Sequence, residues 1–182
     1  MKEVSVFLAD GFEEIEGLTV VDILRRAGAD VKTVSVTGDL TVCGSHGISV
    51  LADVLFEETD FSEDCMLVLP GGMPGTLHLQ EHEGLTELLK SAYRRGTALA
   101  AICAAPSIFG ALGFLEGRKA CSYPSFESKL TGAKVVREPA VTDGNITTGR
   151  GMGAAIPFAL RLVRVLYGQE KAEEVRKAVV YE

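Results

Sequence analysis

Short, nearly uninterrupted apolar runs alternate along this chain with longer segments of helical spacing, and that alternation limits the folds open to it. VSVFLA (4–9), CMLVLP (65–70) and TALAAI (97–102) have the length of strands covered on both faces. The first ends at Asp10-Gly11 and is followed by Ile15, Leu18, Val21 and Leu24 at threefold spacing, with Gly28 as a helix stop. ADVKTVSVT (29–37) is rich in β-branched residues and reads as the next strand, and a right-handed crossover makes the pair a parallel βαβ unit.

The same alternation resumes further on. A polar-faced helix is predicted over 76–95 with Gly96 as its stop, then a helix in PSIFGALG, a strand in NITTG (145–149) and a helix from about Ala154 to Tyr167. Residues 38–58, broken around Gly44 and Gly47, suit a small β excursion. The expected fold class is α/β: one domain over 1–182, with a doubly wound, mostly parallel sheet sandwiched between helices. At 182 residues and 47% hydrophobic residues, the chain supports one sizeable core.

Charge and targeting signals exclude several function classes. A net charge of −7, with its basic residues scattered, offers no footprint for nucleic acid. The N-terminus lacks a signal-peptide core, and no apolar run approaches the ~18 residues of a membrane span. A soluble, cytoplasmic protein with no membrane partner is expected. Cys43, Cys65, Cys103 and Cys121 are widely spaced with no CxxC pair, and His46, His78 and His82 do not complete a cluster with them. Reduced thiols and no bound metal are therefore expected.

Sites in open parallel sheets form beyond the carboxyl ends of the strands, where this chain carries ADGFEEIE, LPGGMPG and AICAAP. Cys103 stands between a strand and a helix, the layout of a nucleophile elbow built with a thiol. Its alanine neighbours permit a tight turn, and Pro106 fits a first helical turn. A helix N-terminus beside the thiol predicts a lowered pKa. The competing reading is a cysteine that only fills core space. Gly71 and Gly72 suit a backbone whose N–H stabilises an oxyanion, or an ordinary turn. Glu13, Glu14 and Glu16 open the first helix, where acids are favoured by the dipole. Any one of them facing Cys103 would share a proton with it, and spacing does not select which.

Together, ADGFEEIE, LPGGMPG, AAICAAPSIFGALG and TTGRGMGAA resemble the ThiJ/PfpI family, in the branch of the parkinsonism-associated protein deglycase, almost end to end. The resemblance implies a flavodoxin-like homodimer whose elbow cysteine is Cys103 and whose protonated carboxylic acid is Glu16. It leaves Glu13 and Glu14 as surface or interface acids. Oxyanion-type amides fall at Gly72 and Ala104, and Arg150 and Gly151 near the pocket. Arg25 or Arg26, with the segment from Cys43 to Gly47, is placed toward the dimer interface. One departure stands out: many members of the branch have a histidine before proline in a pocket wall, where CSYPSFE places Tyr123. Tyrosine donates a hydrogen bond but, with an ordinary pKa near ~10, is a poor base at neutral pH. The three histidines read as surface residues. With no histidine after His82, the Cys-His-Glu triad of the architecturally related glutamine amidotransferases is disfavoured. With Ala104 in the position where peptidase relatives have histidine, so is peptidase activity.

Two functions follow from the resemblance. The first is a cofactor-independent glyoxalase or deglycase, a lyase or hydrolase acting on methylglyoxal or its early adducts. The alternative is a redox-responsive protective or chaperone-like protein whose cysteine is oxidised to sulfinate without turnover.

Overall fold

Along β1 (Glu3–Leu8), Val4, Val6 and Leu8 point into one apolar layer and Phe7 into another, as expected of a strand covered on both faces. This computed structural model describes residues 2–182. After β1 come α1 (Glu14–Arg26) and β2 (Asp30–Ser35), paired parallel to β1 from Glu3↔Asp30 to Leu8↔Ser35. The β excursion resolves into a hairpin of β3 (Thr41–Cys43) and β4 (Ser49–Leu51), followed by the edge strand β5 (Val54–Leu55).

The next strand, β6 (Met66–Leu69), leads to α2 (Gly75–Glu81) and α3 (Glu83–Arg95). One helix was expected over 76–95; the chain breaks it at His82. There the backbone turns extended and the imidazole Nδ1 accepts from Leu85 N–H at 3.0 Å, capping α3. Gly96 ends α3 in the left-handed conformation at φ 76°.

β7 (Ala98–Ile102) and α4 (Pro106–Ala111) follow, then β8 (Lys119–Ala120), β9 (Lys134–Val135), β10 (Ala140–Asp143) and β11 (Ile146–Gly149). The chain closes with α5 (Ala155–Tyr167) and α6 (Gln169–Ala178). The main sheet runs β10-β11-β7-β6-β1-β2-β5, with only β10 antiparallel to its neighbour. Sequence periodicity missed β10, β8, β9 and α6, which are short, partly exposed or strongly polar.

One apolar layer packs α1 and α5 on the sheet through Val20, Leu24, Phe158 and Leu162. The other holds Leu85, Leu89 and Phe109 against Leu67, Leu69 and Leu99. Full burial of each such side chain contributes roughly 1.5–3 kcal/mol. This is the doubly wound, flavodoxin-like architecture. The threefold pattern in α1 is only half internal: Val21 and Leu24 are buried, whereas Ile15 and Leu18 are 49% and 38% exposed. Among the described residues no helix is long and apolar enough to cross a membrane.

Candidate active site

β7 delivers Cys103 to the carboxyl edge of the sheet in a conformation that side chains rarely adopt, φ 66°. Two hydrogen bonds hold it there. Its N–H donates to the Gly149 carbonyl of β11 at 3.0 Å, and its carbonyl accepts from Tyr123 N–H at 2.8 Å. A left-handed non-glycine residue costs about 1 kcal/mol or more and persists where its surroundings fix it. Small neighbours permit the turn, since Ala104 and Ala105 are buried and Pro106 opens α4.

Gly71 fixes the geometry on the opposite side. A Cβ there would lie 2.6 Å from both Cys103 Cβ and Glu16 Oε2, so the space its absent side chain leaves is where the cysteine and the carboxyl meet. The Gly71 N–H donates to Glu16 Oε2 at 3.0 Å. The other oxygen, Oε1, is buried without an aligned hydrogen-bond partner. Of the three acids left open by spacing, Glu16 is therefore the one that approaches the sulfur.

Burial, and secondarily the charge of Glu13, pushes the Glu16 carboxyl up to about 7, although interactions with Cys103 and Gly71 act against the rise. Burial and the adjoining Glu16 push the Cys103 thiol up to about 12. The lowered thiol pKa expected from the helix N-terminus is thus not what the site provides: α4 has only six residues and a correspondingly small dipole, which burial and a carboxylate outweigh. Two acids this close cannot both ionise cheaply, so near neutrality the pair holds one proton and titrates as a unit. The backbone amides of Gly72 and Ala104 lie near the sulfur and oppose the rise, and among the described residues neither has a carbonyl partner. Gly72 has φ 93°, and a Cβ there would collide with Glu13 N, so glycine is required at this amide.

Glu13 and Glu14 are not surface acids; they are 9% and 4% exposed. Glu13 caps α1, its Oε2 accepting from Glu16 N–H at 2.8 Å, while its own N–H donates to the Gly71 carbonyl at 2.9 Å. Glu14 is covered by the turn between β3 and β4, which gives it the His46 N–H at 2.8 Å and the His46 ring at 3.1 Å. Burial works against ionisation of Glu14, but these donors and Ile48 N–H outweigh it and hold the carboxyl at about 2. Glu13, Glu14 and His46 bring ligand-type atoms within 4.8 Å of one another, a grouping invisible in the sequence because the turn supplies the histidine. Glu13 Oε2 and both Glu14 oxygens already accept hydrogen bonds.

Tyr123 is 50% exposed and lies over Gly151, whose added Cβ would meet its ring at 3.5 Å. Arg150 and Gly151 line the adjoining groove, about 640 Å³, with Tyr123 and Met152. His78 bonds to the Asp10 carbonyl, His82 caps α3 and His46 covers Glu14. Arg25 and Arg26 are engaged within the chain by Asp53 and Asp22, each at 2.7 Å.

The sequence model of the DJ-1/PfpI family matches residues 2–165. The chain belongs to the DJ-1/PfpI family. It is 41% identical over 177 residues to Protein DJ-1 homolog A of Arabidopsis thaliana, covering 96% of this chain and 45% of that protein. The chain spans less than half the length of the Arabidopsis relatives it matches. It is 32% identical over 167 residues to the glutathione-independent glyoxalase DJR-1.2 of Caenorhabditis elegans, covering 91% of this chain and 88% of that one. The solved structure of oxidized Toxoplasma gondii DJ-1 superposes with a TM-score of 0.96 at 35% identity, covering 100% of this chain and 99% of that one.

The raised carboxyl has a thermodynamic signature. The folded state retains a proton on Glu16 that the unfolded chain releases at about 4.5, so its contribution is complete below 4.5 and disappears as the pH passes 7. Urea unfolding between pH 4.5 and 8 is expected to show a loss of up to roughly 3 kcal/mol from this group, and Glu16→Gln to flatten that slope. An unchanged slope in the variant refutes the assignment.

Proposed function

We propose that this protein is a cysteine-dependent, cofactor-independent enzyme of the glyoxalase or deglycase type, acting on methylglyoxal or its early adducts with thiols and amines. The observation that carries this reading is the meeting of Cys103, Glu16 and the amides of Gly72 and Ala104 at one point of the sheet edge. A nucleophile, a proton carrier and anion-stabilising donors form a minimal set for carbonyl chemistry. The C. elegans relative named a glyoxalase supports the same class.

In this mechanism the reactive form of the one-proton pair carries the proton on Glu16 and the charge on sulfur, and it is reached from the resting thiol–carboxylate form when the thiol passes its proton to the Glu16 carboxylate. The thiolate adds to the aldehyde carbon of methylglyoxal, and the new alkoxide forms against the two amides and takes the Glu16 proton. The resulting carboxylate removes the hydrogen from that carbon to give an enediol, then returns a proton to the neighbouring carbon. The product is a lactyl thioester, an isomer of the hemithioacetal. Water cleaves the thioester to release lactate and regenerate the thiol, with no net oxidant or reductant consumed. Tyr123 orients substrate at the rim and carries no proton-transfer step.

A second reading uses the same sulfur without turnover: peroxide oxidises Cys103 to sulfinate, and the proton on Glu16 hydrogen-bonds one of the new oxygens. The buried, unpartnered Glu16 Oε1 supports this reading because it leaves a donor position beside the sulfur. In either case the protein is proposed to be a homodimer. The exposed Ile15, Leu18, Ile48 and Ile156 form the apolar face for a second copy, adjoining the turn that covers Glu14.

Incubation with methylglyoxal is expected to yield lactate, with Cys103→Ala at background and Glu16→Gln slowed by about 10²–10⁴-fold. Tyr123→Phe should stay within about threefold of the unaltered protein, because its hydroxyl transfers no proton. Equal lactate formation by the unaltered protein and Cys103→Ala ends the enzyme reading. Under mild peroxide, mass spectrometry should place two added oxygens on Cys103 before Cys43, the exposed thiol; indiscriminate oxidation counts against the redox reading. Light scattering should give twice the chain mass, reduced to the monomer by Ile15→Glu, and a monomeric unaltered protein excludes the dimer.

A further inference from the structure

Arg150 is the first residue beyond β11, and β11 pairs with β7 in the register Gly149↔Ile102. Arg150 therefore stands level with Cys103 on the neighbouring strand. Its backbone N–H is anchored on the Pro139 carbonyl at 3.0 Å. The side chain lines the groove of about 640 Å³ whose wall includes Tyr123, the residue hydrogen-bonded to the Cys103 carbonyl. This cation makes no ion pair at contact distance among the described residues, although Glu127 lies near enough to feel its charge. Arg25, Arg26, Arg137 and Arg176 each hold a carboxylate, whereas Arg150 belongs to none of the ion pairs among the described residues, and its Nε is buried with no hydrogen-bond partner.

A guanidinium with a buried, unpartnered N–H is costly to keep unless something accepts from it. Its planar fork matches a carboxylate bidentately. The groove also exceeds what methylglyoxal requires and remains available to the part of a substrate that does not react. We propose that Arg150 is a specificity-determining residue that binds a carboxylate on the substrate, so that the preferred ligands are carbonyl compounds bearing an acid group away from the carbon attacked by Cys103. This deepens the carbonyl-enzyme reading by naming a substrate class, but its test does not require turnover.

The test compares alkylation of Cys103 by iodoacetate, which carries a carboxylate, with alkylation by the neutral iodoacetamide, followed by peptide mass spectrometry at low salt. The iodoacetate-to-iodoacetamide rate ratio is expected to exceed that of N-acetylcysteine under the same conditions, despite the net charge of −7. Arg150→Gln should lower the ratio by about tenfold, the scale of one charge-assisted hydrogen-bond pair. Arg150→Lys, which keeps the charge but not the planar fork, should retain only part of it, and Arg164→Gln, an exposed charge on α5, should leave it unchanged. A ratio in the unaltered protein at or below that of N-acetylcysteine overturns the proposal, even if no Arg150 variant folds. A ratio insensitive to Arg150→Gln, or lowered equally by Arg164→Gln, also overturns it. If the ratio behaves as expected while methylglyoxal yields no lactate, the catalytic reading fails and the carboxylate subsite stands.

Discussion

One proton shared by a carboxyl and a thiol is the constraint around which this end of the molecule is built. Glu16 is almost wholly buried, Cys103 is half-buried, and Gly71 contributes no side chain to separate them. Burial makes both negative forms expensive, and their proximity makes double ionisation more so. The surrounding backbone then sets which atoms can stabilise charge: Gly71 N–H on the carboxyl, and Gly72 and Ala104 N–H on the sulfur. None of these donors comes from a flexible side chain, so the arrangement involves little reorganisation when charge moves from sulfur to a bound substrate.

The layered fold was legible in the sequence because its central strands are short, apolar and followed by helical spacing. Val4, Val6 and Leu8 on one face, with Phe7 on the other, show why a continuous apolar run is the right signature there. Polar or exposed elements left no such signature. β10 is half exposed at Thr142 and Asp143, and α6 buries only Ala172 and Val175. The break at His82 was illegible for a different reason: a histidine accepting a backbone hydrogen bond is an uncommon cap, and the nearby Gly84 falls inside α3 rather than at the break.

At the site, residue types were easier to read than their electrostatics. Cys103 between a strand and a helix, and glycines after β6, signalled an elbow and a close backbone approach. Choosing Glu16 among three acids required the resemblance to a known family, because helical spacing does not say which carboxyl turns toward the sheet. The sign of the thiol shift was misread, since a helix start suggests a positive field but gives neither the helix's length nor the depth of burial. The burial of Glu14 depends on a turn more than thirty residues away in sequence, which no local pattern encodes.

The pairing of β7 with β11 carries a consequence for how such a protein can diversify. Adjacent strands sit roughly 4.8 Å apart, a spacing set by backbone hydrogen bonds and indifferent to side-chain identity. Ile102 and Gly149 are the last paired residues of that ladder, and Cys103 and Arg150 follow them side by side. Exchanging the residue after Gly149 would thus change the side chain offered beside the thiol without altering the backbone spacing of the two strands, making the sheet a ruler along which single side chains can be varied.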